Sequence, residues 1–98
     1  MSQAALQVEG NRLTLSGTLD FASVPELWPQ LQQQLAGGSD IELSLAGVSS
    51  SNSAALALLL EALDEAGKRG VKLRIADLPQ GLSDLANLSN ALELLVQS

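Results

Sequence analysis

Three consecutive polar residues, Ser51, Asn52 and Ser53, stand directly before an alanine- and leucine-rich segment that begins at Ala54. A serine or asparagine side-chain oxygen can accept a hydrogen bond from a free N–H group in the first turn of a helix. A serine hydroxyl at the same place can also accept a phosphate, because the free N–H groups and the helix dipole stabilise negative charge. The residue types therefore leave two roles open, a helix cap and a site of contact or modification.

The composition excludes most catalytic chemistry. The chain has no cysteine and no histidine, which removes disulfides, thiol catalysis, serine–histidine triads and most zinc sites. We expect no metal and no cofactor, and we interpret Asp20 as capping a turn. The formal net charge of −6 argues against nucleic acid as a partner, because phosphates require a basic surface. Such an acidic chain indicates a protein-binding function and not an enzyme.

The sequence also predicts no membrane insertion. The longest apolar run covers residues 54–60, whereas a helix that crosses a bilayer needs roughly 20 residues. The first ten residues have neither the basic region nor the apolar core of a signal peptide. We therefore expect a cytoplasmic protein with a single domain over residues 1–98, and no small-molecule substrate.

Strands and helices alternate along the chain. Apolar residues recur at every second position around residues 6–17, 41–45 and 71–75, which predicts strands. In the segments between these regions, apolar residues recur with the spacing of a helix. Gly10 and Asn11 suit a two-residue turn, so the first two strands should form an antiparallel hairpin. The order β-β-α-β-α-β-α favours parallel strands joined by right-handed crossovers. The predicted fold class is α/β, a small mixed sheet of about four strands (an amino-terminal hairpin, then βαβαβ-type crossovers) covered by three to four helices.

Proline and leucine positions add detail to the predicted helices. A proline inside a helix removes a hydrogen bond and clashes with the preceding turn. We therefore expect a short turn over residues 25–28 and a regular helix from about Pro29, with Trp28 as half-buried cover. The helix that follows the polar residues should end near Gly67. After the last strand, one or two short helices are predicted with buried leucines at Leu82, Leu85, Leu88, Leu92 and Leu95.

On an ideal helix over residues 53–66, one arc should face the sheet and the opposite arc should face solvent. Ser53, Ala54 and Ala57 share the solvent side near the amino end, and Leu60 lies at its border. Alanine is the best helix former, so an exposed alanine needs no functional explanation. Small apolar residues on an outer face also leave a flat surface on which a partner can dock. Both interpretations remain open at this point.

Several segments resemble the STAS domain family, named for sulfate transporters and anti-sigma factor antagonists. Residues 13–20, LTLSGTLD, resemble the second strand of the family with its Gly-x-Leu-Asp ending, and residues 41–75 resemble the strand, loop, central helix and strand that follow. The family loop ends in Asp-Ser/Thr-x-Gly, where the hydroxyl residue can be phosphorylated. The resemblance implies that Ser53 is the possible phosphoacceptor, although Asn52 and Ala55 replace the acid and the glycine.

Within the family, LSGTLDFASVPELWPQL and LALLLEALDEAGKRG resemble most the small cytoplasmic STAS subunit of Mla phospholipid transporters. That resemblance implies a non-catalytic subunit, peripheral to the inner membrane through its partner, that binds the ATP-binding cassette ATPase of the transporter. The alternative is an anti-sigma factor antagonist that is switched by a serine kinase. The expected partner-binding residues are Ser51, Asn52, Ser53, Ala54, Ala57 and Leu60.

Overall fold

The computed structural model describes residues 4–88. In this part of the chain, strands and helices follow the predicted order β-β-α-β-α-β-α, which confirms the α/β fold with its mixed sheet. The elements are β1 Ala4–Glu9, β2 Arg12–Leu19, α1 Val24–Leu35, β3 Ile41–Ser51, α2 Ser53–Arg69, β4 Leu73–Ala76 and α3 Gln80–Leu88.

The sheet has the strand order β1-β2-β3-β4. β1 and β2 pair antiparallel, with Leu6 opposite Leu15, and the predicted two-residue turn at Gly10 and Asn11 joins them. Gly10 has a φ of +59°, the left-handed conformation that such a turn needs and that glycine adopts without strain. β2 pairs parallel with β3, and β3 with β4. The carboxyl ends of β2 and β3 therefore meet at one edge of the sheet.

β3 is longer than its apolar alternation predicts. The alternation ends at Leu45, yet the strand continues through three serines to Ser51. This second half pairs with the end of β2, where Leu19 lies opposite Ser51. Pairing with an existing strand thus extends β3 over residues whose side chains are mostly exposed.

The pairing between β2 and β3 is irregular at two places. The offset between paired residue numbers is 30 at Thr14–Ser44 and 32 at Leu19–Ser51, so β3 accommodates two extra residues. Gly47 lies between these pairs, and a Cβ at this position would be 2.8 Å from a side-chain carbon of β2. Glycine therefore permits the close approach of the two strands.

The core lies between the sheet and the helices. Alternate strand residues pack with leucines and alanines of all three helices in one buried cluster. The strands contribute Leu13, Leu15, Leu19, Ile41, Leu43, Leu45 and Leu73, all less than 9% exposed. Because a buried leucine contributes about 1.5–3 kcal/mol relative to an exposed one, this cluster is a principal source of stability.

α1 runs without interruption through Pro29, so the expectation of a turn before a separate helix is wrong. An interior proline costs about 3 kcal/mol through the lost hydrogen bond and the clash with the preceding turn. Leu27, Leu31 and Leu35 are all buried on the same face of α1, on both sides of the proline. Their burial at about 1.5–3 kcal/mol each outweighs the cost and holds the helix in one piece.

α2 ends at Arg69, two residues beyond the predicted end near Gly67. Gly70 follows in the left-handed conformation with a φ of +68°. The Gly70 N–H donates to the Gly67 carbonyl at 3.3 Å, and the Val71 N–H donates to the Ala66 carbonyl at 2.9 Å. These bonds satisfy carbonyls of the last turn and direct the chain into β4.

α3 begins at Gln80 and buries Leu82, as predicted. Leu85 is half-buried, whereas Leu88 is 84% exposed, so the expectation that Leu88 is buried is wrong. Leu88 ends the described segment, and the further predicted core residues, Leu92 and Leu95, lie outside it. No helix within residues 4–88 is long and apolar enough to cross a membrane.

Candidate partner-binding surface

The predicted site lies where β2 and β3 end side by side. Asn52 alone connects β3 to α2, and its N–H donates to the Leu19 carbonyl at the end of β2 at 3.2 Å. One residue pair earlier, the Ser50 hydroxyl donates to the Thr18 hydroxyl at 3.2 Å. The start of α2 is therefore attached to two neighbouring strands.

Asn52 is the residue that caps α2. Its Oδ1 accepts a hydrogen bond from the Ala54 N–H at 2.9 Å, and its carbonyl accepts from the Ala55 N–H at 3.0 Å. Asn52 is therefore the cap among the three polar residues before Ala54, and Ser51 is the half-buried last residue of β3. The hydroxyl of Ser53 is thereby left out of the cap and lies on an exposed residue of the first turn.

The exposed face of α2 differs in part from the predicted one. Ser53 and Ala57 are exposed and Leu60 is half-buried, as expected for the outer side and its border. Ala54 is only 4% exposed, so its predicted place on the solvent side is wrong. Leu58, one turn further along α2, is also buried. The reason is that α2 packs against α1 in addition to the sheet.

A shallow groove runs beside this exposed face, between α1 and α2. Its volume is about 280 Å³, and it is lined by Val24, Pro25, Trp28, Ala57, Leu58 and Glu61. Trp28 is half-buried and packs against the core cluster, in agreement with the prediction that it covers the core. The groove is apolar except for the carboxylate of Glu61, so it can accept an apolar side chain flanked by a polar or charged group.

Phe21 is more exposed than Trp28, the other aromatic residue of the chain, with 72% of its surface accessible. It lies in the turn between β2 and α1, which is fixed by the Asp20 carboxylate. This carboxylate accepts hydrogen bonds from the N–H groups of Ala22 and Ser23 at 3.0 and 2.9 Å. The Ser23 hydroxyl in turn donates to the Thr18 carbonyl at 2.8 Å. Phe21 is therefore exposed to solvent in a turn that side-chain hydrogen bonds hold in place.

The same hydrogen bonds determine the ionisation of Asp20. The backbone N–H of Ser23, followed by that of Ala22, stabilises the carboxylate and lowers the pKa of Asp20 from its ordinary value of 3.8. This agrees with the interpretation of Asp20 as a turn cap. Within residues 4–88, no group of three or more acidic side chains is arranged to hold a metal ion.

The sequence pattern did not predict the exposure of Phe21 or the place of Glu61 in the groove. The exposure of Phe21 depends on the turn that Asp20 holds, and the placement of Glu61 depends on the packing of α1 against α2. The available indication for Phe21 was its position directly after the Gly-x-Leu-Asp segment, at the carboxyl end of a strand.

Several solved structures share this fold. The anti-sigma factor antagonist SpoIIAA in its unphosphorylated form matches with a TM-score of 0.70 at 13% identity, over 91% of this chain and 82% of that one. An anti-sigma factor antagonist from Mycobacterium paratuberculosis matches with 0.73 at 15% identity, over 95% and 80%. The phosphorylated form of the Bacillus cell fate determinant SpoIIAA matches with 0.69 at 15% identity, over 95% and 87%. The fold is that of these antagonists.

A family model described as "Mlab, STAS domain" matches residues 2–97. The chain therefore belongs to this family of STAS domains. No curated protein sequence matches it.

Proposed function

We propose that this chain is the non-catalytic STAS subunit of an Mla-type phospholipid transport complex and binds its ATP-binding cassette ATPase. In this role it is cytoplasmic, attached to the inner membrane through its partner, and supports the assembly or activity of the ATPase. The complex in turn maintains the lipid asymmetry of the outer membrane. The match to the Mlab STAS model supports this class of subunit.

The observation that carries the proposal is the exposed amino end of α2, with Ser53 and Ala57 beside the α1–α2 groove. Small side chains allow a partner to approach the helix backbone closely. The exposed ring of Phe21 supplies the kind of aromatic anchor that is enriched in protein interfaces. We include Ser51, Asn52 and Leu60 in the contact surface as neighbours of this face.

The test is co-expression of the tagged chain with the neighbouring permease and ATPase genes, followed by purification. The ATPase should co-purify with the wild-type chain. Ser53→Arg should reduce the retained ATPase by roughly tenfold or more, because a long charged side chain would stand in the contact. Ser39→Arg is the matched control, since Ser39 is exposed in the loop before β3, at the opposite end of that strand. Absence of the ATPase, or intact lipid asymmetry in a Ser53→Arg strain, would contradict the proposal.

The alternative is an anti-sigma factor antagonist that binds a serine kinase and is released by phosphorylation of Ser53. The exposed Ser53 at the phosphoacceptor position of the family favours it. Asn52 and Ala55 count against it, because the kinase would meet a loop that lacks the acid and the glycine of the family pattern. Mass spectrometry that finds stoichiometric phosphate on Ser53, with a kinase and a sigma factor encoded nearby, would favour this alternative.

A further inference from the structure

The cationic residues of this chain are confined to one end of the molecule. The sequence contains five lysines and arginines. Arg12 begins β2, Lys72 and Arg74 flank the beginning of β4, and Lys68 and Arg69 end α2. The parallel strands start at this end. The end of α2 lies there too, because Lys72, three residues after α2, accepts a hydrogen bond from the N–H of Ile41, the first residue of β3, at 2.9 Å.

These cations are largely neutralised where they lie. The carboxylate of Glu42 pairs with Arg12 and Arg74, each at 2.8 Å. Along α2, Lys68 pairs with Asp64 at 3.0 Å and Arg69 pairs with Glu65 at 2.6 Å. The basic end therefore has little free positive charge with which to balance acidic groups elsewhere.

The acidic residues around the candidate surface have no such partners. Asp20, Glu26 and Glu61 form no ion pair with any residue of the described segment. Asp20 braces the turn that carries Phe21, Glu26 lies in the first turn of α1, and Glu61 lines the groove. These three side chains thus place unpaired negative charge at and around this surface.

Only part of the positive charge at the basic end acts on the groove. Glu61 and Lys68 are seven residues apart on α2, about 10 Å along the helix axis at 1.5 Å per residue. Lys68 is paired with Asp64 and still interacts with Glu61 over this distance. Because the Debye length at physiological ionic strength is about 8 Å, Lys68 offsets the charge of Glu61 only in part. A partner at the groove therefore meets local negative charge.

We infer that the face of the partner that docks here is basic, and that it inserts an apolar side chain into the α1–α2 groove with a lysine or arginine against Glu61. Within the groove, Trp28, Ala57 and Leu58 provide the apolar wall, and Glu61 is the one charged lining residue. An acidic partner face would be repelled, since like charges brought together across an interface oppose binding. The inference rests on the proposed function, because it specifies the chemistry of the ATPase surface.

The test measures the affinity of the purified chain for the purified ATPase by titration calorimetry at 50, 150 and 500 mM NaCl. Wild-type affinity should fall as salt increases. Glu61→Lys should weaken binding about tenfold at 50 mM NaCl, with a smaller loss at 500 mM, because salt screens the interaction. The affinity of Glu61→Gln should lie between those of the wild-type chain and Glu61→Lys.

Glu9→Lys is the matched control. It changes the net charge by the same amount, but Glu9 is exposed in the hairpin at the basic end of the molecule. Its affinity should stay within about twofold of wild type. Glu61 is exposed and lysine is a good helix former, so Glu61→Lys should melt close to wild type.

The outcomes separate the two proposals. Binding that is insensitive to salt, or equal losses for Glu61→Lys and Glu9→Lys, would overturn the basic-partner inference and leave the ATPase as partner. An ATPase that does not bind the wild-type chain at any salt concentration would overturn the proposed function and, with it, the inference that rests on it.

Discussion

Replacement of Asn52 by alanine should destabilise the protein and loosen the candidate surface together. The variant loses the side-chain acceptor that holds the Ala54 N–H at 2.9 Å, at the only residue between β3 and α2. Replacing a capping asparagine by alanine typically costs about 0.5–2 kcal/mol. We expect about 1 kcal/mol here, since the backbone bond from the Asn52 N–H to the Leu19 carbonyl remains.

For a domain of 98 residues, 1 kcal/mol corresponds to a fall of about 4–8 °C in Tm. Thermal denaturation followed by circular dichroism measures this fall, and urea denaturation measures the free energy of unfolding independently. Hydrogen exchange should be faster at the Ala54 amide than in wild type, because that N–H has lost its acceptor.

Asn52→Asp is the matched control. Aspartate keeps the acceptor and caps helices about as well as asparagine. Its charge also adds about 0.3–1 kcal/mol of favourable interaction with the helix dipole. Its Tm should therefore equal or exceed that of wild type. A Tm for Asn52→Ala within about 1 °C of wild type, or equal losses for both variants, would refute the assignment of Asn52 as the functional cap.

Three further predictions concern stability. Gly47→Ala should lower the free energy of unfolding in urea by about 1–3 kcal/mol, because the added Cβ would lie 2.8 Å from a side-chain carbon of β2. Gly67→Ala is the control inside α2. Its Cβ would have no atom within 4 Å, so this variant should raise the free energy of unfolding by about 0.5–1 kcal/mol. Because the pKa of folded Asp20 is lowered, its ionised form stabilises the protein above the ordinary pKa of 3.8, and this contribution is lost as the pH falls through the folded pKa. The Tm difference between wild type and Asp20→Asn should therefore shrink below about pH 4, and a constant difference down to pH 2 would contradict this. Leu59→Ala, at a fully buried position, should lower the free energy of unfolding by about 2–5 kcal/mol. Leu60→Ala, at a half-buried position, should lower it clearly less. Equal losses for the two variants would contradict the burial described for them.

The order of elements could be predicted because periodicity and turn residues agree along the chain. Gly10 and Asn11 identified the hairpin, and alternating leucines identified the strands that form the core. The uninterrupted α1 could not be predicted, since local rules penalise Pro29 and only the tertiary burial of three leucines outweighs that penalty. The length of β3 was missed for a similar reason, because its serines extend the strand only through pairing with β2.

The candidate site was predictable where it depends on one helix alone. The cap at Asn52 and the exposure of Ser53 and Ala57 follow from helix geometry and capping chemistry. The prediction put Ala54 on the solvent side because it considered a helix that packs on the sheet alone. α2 also packs against α1, so a wider arc of its surface is buried. The groove was not predictable, since its walls come from two helices whose packing the sequence pattern does not specify.

The two extra residues in β3 have a consequence for how the length of this strand can vary. Paired residues of neighbouring strands lie on the same face of a sheet, and an extra residue without a partner only bends the strand locally. Ser49 is one such extra residue, because it lies between the pairs Gly17–Val48 and Thr18–Ser50. Deletion of Ser49 alone should therefore leave Ser51 opposite the buried Leu19 and Asn52 at the start of α2. We expect homologous strands to differ in length at this place by single residues, while α2 starts in the same orientation.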